Sequence, residues 1–391
     1  MALQFSSAWD DELNRRLDEW RAQGLSRQVR CAQGNGVRIS FRGKEVLSFA
    51  SNDYLGLSTH PALRAAASEE LARSGAGSGA SPLICGHKEI HQRLEERLKE
   101  FKQTEAALVF PSGYQAALAT LGALATGNDT VILDRLSHAS LIDGATLSGA
   151  RVRVFKHNDM IDLMRLLEQE RGRRCVIVVE SLYSMDGDLA PLQQLAEIAQ
   201  QNGALLLVDE AHATGVIGAH GRGGLEALAT PILPRHILAM GTLSKALASQ
   251  GGFLCASSTV ISALVHSGRA YLFSTALSPV AASAALAALV LIDTEPARRT
   301  HLRENESFLR AELNAAQMQI VPSNGPIVPL LIGDEERATV CSEKLFELGI
   351  HVPAIRFPTV KKGAARLRIS LSAAHTIDDC RTLVTALASL R

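Results

Sequence analysis

Short aliphatic runs alternate with longer helix-like segments through the middle of this chain. The aliphatic runs are Ala106–Phe110, Val131–Leu133, Cys175–Val179, Ala204–Val208, Ile237–Met240 and Phe253–Ala256. Helix-like stretches of twelve or more residues alternate with them. This alternation predicts parallel strands joined by crossover helices, which is the α/β class with a doubly wound sheet.

The two ends of the chain depart from this pattern. Asp10–Arg21 carries apolar residues among charges and predicts a short amphipathic helix, whereas Val37–Phe49 alternates like a hairpin. One helical segment near 280–315, including the apolar run Val280–Ile292, leads into a C-terminal third of apparent strands and helices. We therefore predict an N-terminal segment (1–50), a large α/β domain (51–290) and a small α+β domain (291–391).

Polar or glycine-rich residues directly follow five of the aliphatic runs. These clusters are Ser112-Gly113, 134–138, 180–184, 209–212 and 242–245. Open α/β sheets bind their ligands outside the carboxyl ends of their strands, so we expect the five clusters to line one crevice.

Composition and charge narrow the classes of function. The chain has 391 residues, 40 Lys plus Arg, and 40 Asp plus Glu, so no net field favours a nucleic acid or an anionic membrane. The six cysteines show no Cys-x-x-Cys spacing, which favours reduced thiols over disulfides or a metal site. With no secretory signal pattern at residues 1–12, we expect a cytoplasmic protein without metal, nucleic acid or membrane partners.

The most informative cluster combines Asp209, His212 and Lys245, each placed just after an aliphatic run. A lysine forms Schiff bases with aldehydes, and a carboxylate stabilises a protonated ring nitrogen, which is the pair that pyridoxal phosphate requires. The alternative interpretation is a helix cap followed by an ordinary surface histidine. We take pyridoxal phosphate as the working hypothesis.

A phosphate site is the matching expectation elsewhere in the chain. Pro111-Ser112-Gly113-Tyr114 opens a helical pattern directly after a strand, and free N–H groups at a helix start attract phosphate. A plain capped helix explains the same pattern equally well. His138 similarly fits either a position on an aromatic ring or the cap of the next helix.

Taken together, these segments make the chain resemble the α-oxoamine synthases, a family of fold-type I pyridoxal-phosphate enzymes. The resemblance covers nearly the whole chain and rests on Ser51–Gly56, Gly75–Gly86, Ser112–Tyr114, Asp134–Ser140, Glu180–Asp188, Asp209–Gly215, Thr242–Lys245 and Phe273–Thr275. It implies a large, mostly parallel, seven-stranded sheet domain, a smaller α+β C-terminal domain and a short N-terminal segment.

The resemblance also implies roles at the cofactor. Lys245 would carry it as a Schiff base and then act as the base, Asp209 would bind the pyridine nitrogen, and His212 the phenolic oxygen. The remaining cofactor-binding residues would be His138 stacked on the ring, Ser184 near it, and, around the phosphate, Gly113, Tyr114, Thr242 and, from a second subunit, Ser274 and Thr275.

For the substrates, the resemblance implies Asn52 near the amino acid, Arg356 on its carboxylate and Thr359 beside the acyl group. Family members often carry an Arg-rich run after the first helix, where this chain has only Arg27, so Arg27 is the corresponding candidate for the acyl carrier.

The implied activity is a decarboxylative condensation of an amino acid with an acyl thioester. Asp134–Ser140 and Ala354–Thr359 are most similar to members that join L-alanine to a pimeloyl thioester, on coenzyme A or an acyl carrier protein, in biotin synthesis. Such members imply a homodimer. The alternatives are condensation of glycine with acetyl-CoA, or a catalytically silent subunit or ligand sensor built on the same fold.

Overall fold

The structure, a computed structural model, describes residues 7–22, 25–26 and 29–390. Its central feature is a seven-stranded sheet. Its order is β4-β10-β9-β8-β7-β5-β6. The strands are β4 (Ala106–Phe110), β5 (Thr130–Asp134), β6 (Arg151–Phe155), β7 (Cys175–Glu180), β8 (Leu205–Asp209), β9 (Ile237–Thr242) and β10 (Gly252–Ala256). β10 runs antiparallel to both neighbours, and the other neighbouring pairs are parallel. This confirms the predicted α/β class with a doubly wound, mostly parallel sheet.

The middle strands of the sheet can be recognised in the sequence because their apolar residues are continuous. β7 and β9 are buried at every residue, because helices cover both faces of the sheet. β6 was missed, since it lies at the sheet edge and exposes Arg151 and Val152 while burying only Phe155. Charged residues are typical of edge strands, and they hide the strand from a search for apolar runs.

Helices pack on both faces of the sheet and around the C-terminal part. Their bounds are α1 (Ala8–Ala22), α2 (Pro61–Ser74), α3 (Glu89–Lys102), α4 (Gly113–Leu124), α5 (Ala139–Leu147), α6 (Met160–Gln169), α7 (Leu192–Gln201), α8 (Ser258–Ser267), α9 (Arg269–Leu272), α10 (Pro279–Thr294), α11 (Ala297–Ala315), α12 (Glu335–Glu347) and α13 (Ile377–Ser389). A π-helical turn spans Pro82–Gly86, and a 3-10 helix spans Gly224–Leu228.

The single helix expected near 280–315 is two helices. α10 and α11 meet at an angle of 76° around Glu295 and Pro296, because proline cannot continue a helix in its interior. The apolar run in α10 is largely buried against α2 and α3, as expected for a core helix. Among the described residues, no single helix is long and apolar enough to cross a membrane. Only α10 and α11 taken together reach the required length and apolar content, and they are bent.

The N-terminal segment joins the C-terminal part through a second sheet. β1 (Ala32–Gln33), β2 (Arg38–Phe41) and β3 (Lys44–Ser48) form the predicted hairpin region, and β3 pairs in parallel with β12 (Ile350–His351). α1 was predicted correctly, but it buries no side chain. The boundaries at residues 50 and 290 stay predictions.

A three-stranded sheet in the C-terminal part supplies residues to the edge of the large sheet. Its strands are β11 (Ile327–Gly333), β13 (Ala354–Ile355) and β14 (Ala365–Ser370), in the order β11-β14-β13. β14 is buried at every residue although it carries Arg366 and Arg368. These two arginines reach across to the loop that follows β7.

Candidate active site

The five polar clusters predicted to line one crevice follow β4, β5, β7, β8 and β9 at the carboxyl edge of the large sheet. Lys245 follows β9, and its Nζ lies 2.8 Å from Nε2 of His212, which follows β8. Nδ1 of the same imidazole lies 2.6 Å from the hydroxyl of Tyr54. The chain therefore brings the predicted amine and imidazole into direct contact.

Burial sets the protonation of this pair. Loss of solvent lowers the pKa of Lys245 to about 8, although the carboxyls of Asp209 and Glu180 act in the opposite direction. Burial also holds the pKa of His212 well below its usual value, and the nearby cations Lys245 and Arg368 lower it further. His212 is therefore a neutral ring at physiological pH, beside an amine that is partly unprotonated.

Two acids lie side by side within electrostatic reach of Lys245. Asp209 and Glu180 are direct partners on β8 and β7, and both are buried. The pKa of Glu180 is raised to about 8, mainly because the carboxyl is buried and secondly because Asp209 is its neighbour. Burial also raises the pKa of Asp209, but Lys245 and the N–H of Ala211, which donates to Oδ1 at 2.9 Å, favour its charged form. Burial therefore raises the pKa of both acids, and the charge of Lys245 opposes that rise at each of them.

The predicted phosphate residues meet at the start of α4. The hydroxyl of Ser112 accepts a hydrogen bond from the N–H of Gln115, which caps the helix and leaves the N–H groups of its first turn available. A Cβ on Gly113 would lie 3.3 Å from Cβ of Thr242, so glycine permits the close approach of β9. Thr242 is buried and lies 2.6 Å, oxygen to oxygen, from the hydroxyl of Ser244.

Two further phosphate candidates lie on the segment after α9. The hydroxyl of Ser274 accepts a hydrogen bond from Nε2 of Gln115 in the same chain, whereas Thr275 is exposed. The ring of Tyr114 points outward, where its hydroxyl bonds to Asp143. A contribution of Ser274 and Thr275 to a second subunit stays a prediction.

His138 caps the next helix, which is one of the two interpretations left open by the sequence, and its position on an aromatic ring stays a prediction. Its Nδ1 accepts a hydrogen bond from the N–H of Ser140 and so caps α5. Partial desolvation lowers the pKa of His138, Asp209 raises it, and Lys245 lowers it, which places the ring within electrostatic reach of both groups. The capping residue is therefore also a neutral ring at the site.

Arg368 is the functional candidate that the sequence analysis missed. Its guanidinium donates to the carbonyl of Ser184 at 2.7 Å, to Asn52 Oδ1 at 3.3 Å and to Ser370 Oγ at 2.6 Å. Arg366 pairs with Asp186, but none of the carboxylates in the described ranges pairs with Arg368, which is only 5% exposed. A buried cation without a counter-ion is costly unless an anion joins it. The signal that the sequence offered is the alternation of Arg366 and Arg368 with Leu367 and Ile369 in one strand.

The other substrate candidates lie in a groove of about 940 Å³ between α1 and residues 354–359. Arg356 and Thr359 line one wall, and Leu17, Trp20 and Leu25 line the opposite one. Arg356 is half-buried and has no carboxylate partner among the described side chains. Arg27 lies outside the described residues.

Comparison with known proteins assigns this fold and site to a family. The chain matches the family "Aminotransferase class I and II" over residues 44–387. It is 45% identical over 378 residues to the 8-amino-7-oxononanoate synthase of Geobacter sulfurreducens, with 96% of each chain covered. The chain belongs to the 8-amino-7-oxononanoate synthase family. The same identity, 45% over 378 residues, relates it to the 8-amino-7-oxononanoate synthase of Geotalea daltonii, with 95% of each chain covered.

Solved structures of related proteins share the architecture of this family member. Serine palmitoyltransferase from S. paucimobilis, with a bound PLP–myriocin aldimine, superimposes with a TM-score of 0.90 at 29% identity, covering 97% of this chain and 96% of that one. The predicted family and fold class are thus confirmed. The roles of the individual site residues stay predictions.

Proposed function

We propose that this chain condenses L-alanine with a pimeloyl thioester to give 8-amino-7-oxononanoate, carbon dioxide and the free thiol carrier, in biotin synthesis. Alanine loses its Cα proton and its carboxylate carbon, and the thioester loses its thiol as the new carbon–carbon bond forms. The observation that carries the proposal is the contact of Lys245 with His212 beside Asp209, in a site whose buried Arg368 has no counter-ion among the described residues. The names of relatives that are 40–48% identical support the choice of substrates.

Pyridoxal phosphate is the cofactor of this enzyme, as the sequence predicted and as membership of the family confirms. The residues fit it, because a buried acid, an amine and a capped helix start face one crevice, and Oε1 of Glu180 has no partner among the described atoms. When bound, the cofactor supplies an electron sink that stabilises negative charge at Cα of the amino acid.

The individual roles follow from charge and position. Lys245 would hold the aldehyde carbon, Asp209 the ring nitrogen and His212 the phenolic oxygen. Gly113, Tyr114 and Thr242 would hold the phosphate at the start of α4, and His138 and Ser184 would flank the ring. A unit-charge pair at 4 Å is worth about 4 kcal/mol at an effective dielectric near 20, enough for Asp209 to keep a nearby ring nitrogen protonated.

Lys245 also moves the proton. With a pKa of about 8, its amine is partly unprotonated at neutral pH, so that it can bond to a carbonyl carbon and later accept the Cα proton. The neutral His212, 2.8 Å from Nζ, orients the amine without competing for its charge.

The amino-acid carboxylate would be held by Arg368. Its fixed hydrogen bonds to Ser184 and Asn52 hold the guanidinium in place, and the carboxylate would supply the missing counter-ion. Arg356, which the resemblance assigns to this carboxylate, lies at the groove with Thr359, and its role stays a prediction, as does that of Arg27 in binding the acyl carrier. The groove would admit the acyl thioester.

A homodimer would complete the site. Leu83 and Ile84 on the π-helical turn, Tyr114 on α4 and Phe273 after α9 are large apolar side chains that are 43–77% exposed. α4 and the π-helical turn both pack against α9, so these side chains can form one apolar surface. Exposed apolar surface of this kind marks protein interfaces.

The six cysteines are all free thiols, which supports a cytoplasmic location.

The product of the reaction tests this proposal directly. Purified holoenzyme is incubated with L-alanine and pimeloyl-CoA, with L-alanine and pimeloyl-acyl carrier protein, and with glycine and acetyl-CoA, and products are identified by mass spectrometry. We expect 8-amino-7-oxononanoate from at least one pimeloyl donor and none from the Lys245→Ala variant. Product from glycine and acetyl-CoA alone would favour glycine C-acetyltransferase, and no product in any arm would favour a silent subunit.

A further inference from the structure

His157, on the loop between β6 and α6, bridges two carboxylates that follow different strands. Its Nδ1 lies 2.9 Å from Oδ1 of Asp134, and its Nε2 lies 2.7 Å from Oδ2 of Asp188. A carboxylate oxygen only accepts hydrogen bonds, so both ring nitrogens must carry protons. Although burial disfavours the charged ring, the two aspartates raise the pKa of His157 to about 10. The ring is therefore an imidazolium throughout the physiological range.

The first carboxylate fixes the turn that leads to His138. Asp134 ends β5 and is buried, and its Oδ1 accepts the N–H of Leu136 at 2.8 Å. Its Oδ2 accepts the N–H of Asn158 at 2.9 Å. This turn ends at His138, whose ring lies within electrostatic reach of Lys245 and Asp209.

The second carboxylate belongs to the loop that carries Ser184. The carbonyl of Asp188 accepts the N–H of Tyr183 at 3.0 Å, which closes the loop on itself. Within this loop, the N–H of Ser184 donates to Glu180 and its carbonyl accepts from Arg368. The ring of Tyr183 packs edge-on against His157, with centroids 4.5 Å apart. Among the described residues, Asp134, Asp188 and Tyr183 are the titratable groups that face the imidazolium.

We propose that His157 is a positioning residue for the active site. Its imidazolium clamps the loop of His138 to the loop of Ser184, and so sets the spacing of the two loops that flank the crevice. The inference rests on the proposed function, because the spacing matters for a ring held between those loops. His157 itself touches none of Lys245, Asp209 or His212 through a hydrogen bond in the described structure.

The substitution His157→Gln tests the clamp, because glutamine can donate to one aspartate but carries no charge. The matched control is His220→Gln, which removes an exposed histidine whose Nδ1 lies 2.6 Å from Glu226. We expect the His157 variant to bind pyridoxal phosphate about tenfold more weakly in titrations of apoprotein, the scale of one lost charge-assisted hydrogen bond. Its holoenzyme should show a reduced visible circular dichroism band and a kcat lowered about tenfold, with KM for the thioester within about twofold. The His220 variant should match the wild type.

A spectroscopic measurement keeps the inference testable if the variant fails to fold. In apoprotein labelled with ¹⁵N-histidine, NMR should show one ring with both nitrogens protonated at pH 8.5, which becomes neutral in Asp188→Asn. A neutral His157 at that pH would overturn the inference, as would a His157→Gln holoenzyme with the dichroism and kcat of the wild type. The cofactor titration, the dichroism band and the NMR signal do not depend on which product is made, so these three readouts stay interpretable if the product assay fails.

Discussion

Arg368 and Lys245 are two buried basic side chains that differ in whether they can lose their proton. Lys245 can lose its proton, and its pKa falls to about 8. A guanidinium stays charged in proteins, so Arg368 keeps its charge in a buried position and binds neutral oxygens of Ser184, Asn52 and Ser370. The site therefore combines a titratable amine with a permanent cation, which suits proton transfer at one end of an amino acid and carboxylate binding at the other.

Replacing Arg368 by glutamine should weaken alanine binding selectively. We expect the KM for L-alanine to rise about 10- to 100-fold, the range for a hydrogen bond to a charged group, while the KM for the pimeloyl thioester changes little. Steady-state kinetics on the two substrates provide the measurement. Arg356→Gln is the comparison variant, and a larger effect on alanine there would assign the carboxylate to Arg356, as the resemblance implied.

The reaction of apoprotein with the cofactor should depend on pH through Lys245. The amine bonds to an aldehyde only when unprotonated, so the association rate should rise with pH and level off above about pH 8. Asp209 raises the pKa of Lys245, and Asp209→Asn should therefore move the midpoint to lower pH. Stopped-flow absorbance measures the rate. Asp293→Asn, which removes a surface carboxylate, should leave the midpoint in place, and an unchanged midpoint in Asp209→Asn would be inconsistent with this assignment.

Among the structural elements, the start of α4 connects helix geometry to binding. Ser112 caps the helix and Gly113 lets Thr242 on β9 approach its first turn. The free N–H groups and the helix dipole then favour a phosphate at this point. The same helix contains Gly122, where an added Cβ would meet nothing within 4 Å.

These two glycines give a matched pair of variants. Gly113→Ala should weaken cofactor binding about tenfold, because the new methyl group pushes Thr242 and the helix start apart. Gly122→Ala should leave binding unchanged and stabilise the protein by about 0.5–1 kcal/mol, since alanine favours a helix interior. Cofactor titration and thermal unfolding measure the two effects. Equal affinities in both variants would argue against a phosphate at α4.

An element can be predicted from the sequence when its pattern lies within a few consecutive residues. The buried strands β7, β8 and β9 and the hairpin β2–β3 were visible as apolar runs or alternation, and the polar residues after the strands indicated the crevice. Strand β6 is not visible in the sequence because its arginines break up the apolar run, and the bend at Pro296 is not visible because a single proline does not interrupt the wider helical pattern. Arg368 was missed for a different reason. Its partner Ser184 lies 184 positions away in the sequence, and only the fold brings β14 next to the loop that follows β7.

For the whole molecule, the exposed apolar side chains around the π-helical turn predict a second copy. Ile84 is 77% exposed and Phe273 is 75% exposed, whereas side chains of this type are usually buried. The segment after α9 continues into Ser274, which reaches the start of α4 through Gln115. An interface at this surface would lie beside the predicted phosphate site.

A charge placed on this surface should separate the copies. We expect Ile84→Glu to convert a dimer into monomers in sedimentation velocity and to weaken cofactor binding, because burying a carboxylate in an apolar interface is unfavourable. Ile161→Glu is the control, since Ile161 is 83% exposed on α6, away from the surface defined above. A dimer that survives Ile84→Glu, or dissociates equally in the control, would refute the assignment of the interface.

Borohydride reduction followed by peptide mapping shows whether Lys245 and Asp209 hold one pyridoxal phosphate. Reduction fixes the cofactor to the lysine that carries it, and mass spectrometry of the digest identifies that residue. We expect a phosphopyridoxyl group on Lys245, absent from the Lys245→Ala variant and reduced in occupancy in Asp209→Asn at limiting cofactor. Modification of a different lysine, or no modification of a cofactor-treated wild-type protein, would show that Lys245 does not carry the cofactor.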